Sequence, residues 1–156
     1  MKVTDYFAEL YVAGRFADAG WNVYFPHRDK GFDFIIAKKT TNSFIAVRPV
    51  QVKGKYPENE ARNRKAYGYI GRLTEVHSDM VLAIAHFAAS DPTVPRCVAY
   101  MPFSRIRPHA KRGFICEPAA QRSGLPMPRR EFQQFFDESG LESLETNEWG
   151  IASTHD

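Results

Sequence analysis

Over residues 4–19 apolar side chains return every three to four positions, the spacing of a helix with one covered face. Thr4 offers an N-cap hydroxyl and Gly20 a stop, so the pattern predicts a helix between them. The period then shortens. Trp21 to Pro26 and Gly31 to Ala37 have the length and character of strands. A polar turn, KKTTN at 38–42, leads into Ser43 to Lys53, a third strand rich in β-branched residues. Pro49 lies inside it, which predicts a bulge or an edge, because proline brings no N–H to a ladder. Residues 54–78 are polar and basic with weak periodicity and predict a loop or a short helix. Met80 to Ala85 and Arg96 to Met101 predict buried strands, with a turn at DPTVP, 91–95. Gly113 to Cys116 predicts a short strand. Pro128 opens a predicted helix to about Phe136, with Gly140 past its end. The order describes an α/β or α+β domain around a mixed sheet, over residues 1–140, followed by a frayed, flexible tail at 141–156.

Composition adds less than charge does. A chain of 156 residues buries a core without disulfides or a structural metal. Cys97 and Cys116 have no CxxC spacing, no apolar run reaches bilayer length, and Met1 to Asp5 opens no signal peptide; together these predict a cytoplasmic chain with reduced thiols and no membrane. The histidines at 27, 77, 86, 109 and 155 fit no zinc pattern, and His86 reads as a satisfied core residue. All 21 Lys and Arg fall within residues 1–136, against 12 acids there, a balance of 21 − 12 = +9. Residues 137–156 hold six acids and no Lys or Arg. A basic body suits a polyanion, nucleic acid first, and equally suits a plain solvated surface.

Three places set polar groups where apolar ones are expected. Glu9 falls on the helix arc that carries Tyr6, Leu10, Val12, Ala13, Phe16 and Ala17. A carboxylate there needs a cation or donors, or snorkels to solvent from the edge of the face. Asp33 stands between Phe32 and Phe34 at the start of an apolar strand, where it reads as a strand-end acceptor or as a catalytic acid. Alternation puts Gln51 and Lys53 on one face of the third strand and Val52 on the other.

Taken together, the helix acid Glu9, Asp33 and the triplet Gln51-Val52-Lys53 resemble the PD-(D/E)XK nuclease superfamily, which includes restriction-like endonucleases, Holliday junction resolvases and some homing endonucleases. The resemblance spans roughly residues 1–101 and is carried by GFDF at 31–34 and VQVKG at 50–54. It departs from the family pattern at Gln51, which stands where an acid is usual. It implies a restriction-endonuclease-like α/β fold, αβββαβ, with a mixed sheet flanked by helices. It also implies a Mg²⁺-dependent endonuclease, Mn²⁺ substituting, that hydrolyses phosphodiesters in DNA rather than RNA. On that reading Asp33, Gln51, the Val52 carbonyl and Glu9 are metal ligands, Lys53 is the catalytic cation, and the enzyme is a homodimer on double-stranded or branched DNA. Gln51 removes one negative charge from the site and leaves a second reading open, a catalytically inactive nucleic-acid-binding module on the same fold. A protein-interaction domain is a third.

Lys55, Arg62, Arg64, Lys65 and Arg72 follow the triplet, with Tyr56, Tyr67 and Tyr69 interleaved, and fit phosphate and base contacts. A second basic set comprises Arg105, Arg107, Lys111, Arg112, Arg122, Arg129 and Arg130. Either set also reads as a solvated surface. The acidic tail is a candidate to occupy or shield the basic groove, and Trp149 within it reads as an anchor or as part of the loose end.

Overall fold

Helix α1 (Val3–Asp18) ends as the sequence expects, with Gly20 in the left-handed region at φ 90°. The Trp21 N–H returns to the Phe16 carbonyl and the Gly20 N–H to the Ala17 carbonyl, a pair of bonds that closes the last turn. The computed structural model describes residues 3–28, 31–57, 63–146 and 149. Arg62 and tail residues 147–148 and 150–156 lie outside the described residues.

Five strands make the main sheet: β1 (Asn22–Tyr24), β2 (Phe34–Lys39), β3 (Ile45–Lys55), β5 (Val81–His86) and β6 (Cys97–Pro102), with β4 (Tyr69–Gly71) elsewhere. Their order is β1-β2-β3-β5-β6, antiparallel except for the central parallel pair β3–β5. The chain is thus mixed α/β. Val50 and Val52 of β3, Val81, Ala83 and Ala85 of β5 and Tyr100 of β6 share one face with Ala8, Val12, Ala13 and Phe16 of α1. Leu82, Ile84, Ala99 and Met101 point the other way, into a second core. That core is covered by a small sheet of order β4-β8-β7, with β7 (Arg107–His109) and β8 (Gly113–Ile115), and by the hairpin β9 (Ala119–Arg122)–β10 (Leu125–Pro128). A 3₁₀ turn at Arg130–Phe135 leads into α2 (Asp137–Ser143).

Several local expectations shift. The β2–β3 turn lies beyond KK, because Lys38 and Lys39 pair with Ala46 and Ile45 and the reversal falls at 40–44, with Ser43 at φ 63°. Pro49 makes no bulge and stays in register with Ile35. Val50 accepts from the β2 side, so Pro49 faces the β5 side, where pairing starts only at Val50. The buried arc of α1 includes Ala8, while Tyr6, Leu10 and Ala17 are exposed. Among the described residues, 63–78 hold no helix, so the fifth element of the αβββαβ order has no counterpart there. The helix expected at 128–136 is instead the end of a hairpin and a 3₁₀ turn. Ser123 and Gly124, both at positive φ, are the two-residue connection that strands of this twist favour. Gly140 lies inside α2, where a Cβ would collide with the Phe135 carbonyl.

The packed structure also runs past residue 140. Leu141, Leu144 and Trp149 are buried in the α1-side core, and Trp149 Nε1 donates to the Met80 carbonyl at 3.2 Å. Arg48, buried on β3, donates to the Leu144 carbonyl at 3.2 Å and the Thr146 carbonyl at 3.0 Å, serving carbonyls that a helix end leaves without partners. Lys38 pairs with Glu145 at 2.7 Å. The described part of the tail therefore lies on the α1 side and not over the face that carries Gln51 and Lys53. Arg48→Met keeps the apolar stem but orphans both carbonyls. A loss of about 2–3 kcal/mol is expected, read as a lower urea midpoint. An unchanged midpoint would mean that Arg48 does not hold the tail.

Candidate functional site

The sequence signals converge where β2 begins. The Asp33 N–H donates to the Val50 carbonyl at 2.9 Å, the last rung of the β2–β3 ladder on that side. One residue earlier than the strand proper, the Asp33 side chain takes over the role of backbone. Its Oδ2 accepts from the Val52 N–H at 2.6 Å and from Gln51 Nε2 at 2.9 Å. The charge-assisted bond to Val52 is short, as a carboxylate acceptor makes it. Gln51 is only 8% exposed, so its amide needs a partner, and a carboxylate accepts only, so the NH₂ end must face it. In an extended strand a residue's N–H and C=O leave on the same side, so the Val52 carbonyl also points to the edge where β2 has ended.

Lys53 follows on the Gln51 face, half-buried, and forms no ion pair among the described residues. In the parallel register Gln51 lies beside Leu82 and Lys53 beside Ile84, which places both toward the second core. Glu9 is half-buried on α1, and α1 covers the opposite face. The structure thus brings Asp33, Gln51 and Val52 into direct contact, sets Lys53 next to them, and puts Glu9 on the other side of the sheet. Among the described residues, no three His, Cys, Asp or Glu side chains gather as a metal-binding group.

The same face of β3 continues past Lys53 to Lys55, where it opens into a cleft of about 400 Å³. Lys55, Arg64 and Arg112 bring three cations to its wall, with Tyr56, Tyr67 and Gln121 beside them. Arg64 comes from the first basic set and Arg112 from the second. Backbone bonds between Arg64 and Gln121, at 2.8 and 2.9 Å, tie the segment after β3 to β9 and bring the two sets together. Tyr56 is held flat against Phe87, ring centroids 4.3 Å apart. Burial pushes the Lys55 ammonium down to about 8, with Lys53 adding repulsion. Arg105, Arg107 and Arg129 are otherwise engaged, Arg105 over the Phe132 and Phe135 rings, Arg107 with Glu117, and Arg129 with Glu131. Lys65 and Arg72 are exposed and do not line the cleft.

Gln121 had no part in the sequence-derived site, and Arg112 entered only in the second basic set. Neither stands near the QVK triplet in the chain; the pairing of 64 with 121 brings in Gln121, and the β4-β8-β7 sheet positions Arg112. His86 is fully buried as expected, but among the described residues neither ring nitrogen has a hydrogen-bond partner, and its ring meets Tyr67 edge-on. The Tyr67 hydroxyl is likewise buried without a partner among the described residues.

Comparison of the sequence with protein-family models and with curated proteins gives no match, so the site is read from its own residues. No helix among the described residues is long and apolar enough to cross a membrane.

Proposed function

We propose that this chain is a metal-dependent nuclease of restriction-endonuclease-like fold that hydrolyses phosphodiesters in double-stranded or branched DNA. The observation that carries the reading is the joining of Asp33 to Gln51 and Val52, with Lys53 next on the strand, where an antiparallel hairpin meets a parallel pair. The donor set suits a hard cation such as Mg²⁺ or Mn²⁺, since Asp33, the Val52 carbonyl and the Gln51 Oε1 are all oxygens. Gln51 would first have to turn its amide, because its NH₂ end now faces Asp33. Glu9 could join only through the gap left by the end of β2. A bound cation would polarise the scissile phosphate and acidify a water. Lys53 would hold that water and stabilise negative charge on the phosphate oxygens. Two strands call for two sites, so a homodimer is expected on duplex substrate.

One observation favours a second reading, a binding module without catalysis. Asp33 Oδ2 already serves two N–H donors, an arrangement stable without any cation. The test uses the full chain with Mn²⁺ on labelled linear and branched duplexes, with binding followed in EDTA. Cleavage that disappears in Asp33→Ala and Lys53→Ala while binding persists is the expected result. Binding without cleavage in the parent protein selects the module. No binding at moderate salt removes both and leaves a protein-interaction domain.

A further inference from the structure

The cleft beyond Lys53 has the make-up of a ligand site in its own right. Its volume of about 400 Å³ falls within the roughly 300–1,000 Å³ of small-ligand pockets and is far too small for a duplex. Three cations from separate segments, Lys55, Arg64 and Arg112, line it, together with Glu117, whose carboxylate pairs with Arg107. Arg64 and Arg112 form no ion pair among the described residues, so their charge is available to an anion. Guanidinium groups match the geometry of phosphate oxygens. Two tyrosine rings line it as well. Tyr56 is stacked on Phe87, and Tyr67 is set edge-on to His86, its hydroxyl buried without a hydrogen-bond partner among the described residues. Gln121, itself buried, also lines it. Cations for a phosphate, flat rings for a base and an amide for a base edge are the complement of one nucleotide.

We infer that this cleft binds a single unpaired nucleotide unit of a nucleic-acid strand, its phosphate on Lys55, Arg64 and Arg112 and its base against Tyr67 and Gln121. The inference rests on the nucleic-acid-binding half of the proposed function and is independent of cleavage. Because Lys53 and Lys55 lie on one face of β3, a strand seated here would pass directly to Asp33 and Lys53. A branched or frayed substrate supplies such an unpaired unit, whereas an intact blunt duplex does not. An anion beside Lys55 would also favour the ammonium form, against the burial that lowers it.

The experiment measures binding of deoxyadenosine 5′-monophosphate, deoxyadenosine, inorganic phosphate and a labelled single-stranded ten-nucleotide DNA, all in EDTA. The proteins are the parent chain and the double variant Arg64→Ala/Arg112→Ala. Both arginines are exposed, and thermal melting confirms that the double variant folds. The mononucleotide is expected to bind the parent and to bind the double variant roughly tenfold or more weakly. The nucleoside is expected not to bind. The ten-nucleotide strand should lose about 1.4 from its salt slope in the double variant, two contacts at about 0.7 each. Inorganic phosphate binding as tightly as the mononucleotide overturns the base contact. An unchanged affinity in the double variant overturns the site. Mononucleotide binding without strand binding overturns the strand as source and leaves a free-nucleotide pocket. Since no metal is present, a failure of cleavage in the proposed function leaves every one of these readings intact.

Discussion

Gln51→Glu is expected to cost the metal-free protein up to about 4 kcal/mol and to recover most of that loss on addition of Mn²⁺. In the parent protein the Gln51 amide donates to Asp33 Oδ2 at 2.9 Å inside a partly buried site. The substitution keeps the shape, removes the donor and sets a second carboxylate against the first. Two like charges about 4 Å apart repel by about 4 kcal/mol at an effective dielectric near 20. Proton uptake by one carboxyl limits the damage. At pH 7 the cap is about 1.4 kcal/mol for each unit above the ordinary Glu value near 4.3, which is again about 4 kcal/mol. The loss should therefore shrink as pH falls toward 4. A divalent cation between the carboxylates turns repulsion into ligation, and stabilisation then grows with the logarithm of its concentration above Kd. Thermal melting with and without Mn²⁺ reads the effect. If Mn²⁺ restores none of the lost stability, Asp33 and residue 51 do not form a cation site, and the nuclease reading loses its centre. If stability returns together with new or faster cleavage, Gln51 is what restrains the parent site.

The parts of the fold legible in the sequence are those fixed by short-range pattern. Helix α1 and its Gly20 stop, the central strands and the face shared by Gln51 and Lys53 follow from periods of 3.6 and 2. The pairing of Asp33 with the triplet was legible for a further reason. A hairpin forces neighbours in sequence to be neighbours in space, so the start of β2 had to meet the middle of β3. What was not legible depends on distant partners. Pro128 suggested a helix start, but among the described residues β10 pairs with β9 alone, so its missing N–H is tolerated. The turn residues Ser123 and Gly124 carried the contrary signal. Acidic residues between Leu141, Leu144 and Trp149 hid a spaced apolar set that needs a sheet to bury it. Arg64 and Arg112 share a cleft only because two short sheets fold over the second core, and nothing local encodes that meeting.

His86 carries the other large effect, a loss of stability in acid. It sits at the end of β5 beside Lys55 in the parallel register, fully buried, with neither ring nitrogen bonded among the described residues. Burial, helped by the positive charge of Lys55, pushes the imidazole down to about 3, and the nearby Ile84 backbone opposes this only in part. The unfolded imidazole titrates near 6.5. Between those values the unfolded chain binds a proton that the folded chain refuses, so acid favours unfolding. The stabilisation is fully present above about pH 6.5 and is lost as pH falls toward 3. Its size is about 1.4 kcal/mol per pH unit, or roughly 5 kcal/mol over the whole window. His86→Leu removes the titrating group and the two unsatisfied polar atoms at similar volume. At pH 7 the variant should match the parent within about 1 kcal/mol, since a lost ring contact offsets the removed polar cost. At pH 5 it should be more stable than the parent by about 2 kcal/mol, the part of the slope then exposed. Urea midpoints at the two pH values give the comparison. A parent and variant that fall in parallel from pH 7 to pH 5 would mean that His86 accepts its proton in the folded state. The charge would then lie beside Lys55 and against Tyr67, both of which line the cleft, and acid would strengthen anion binding there instead of unfolding the domain.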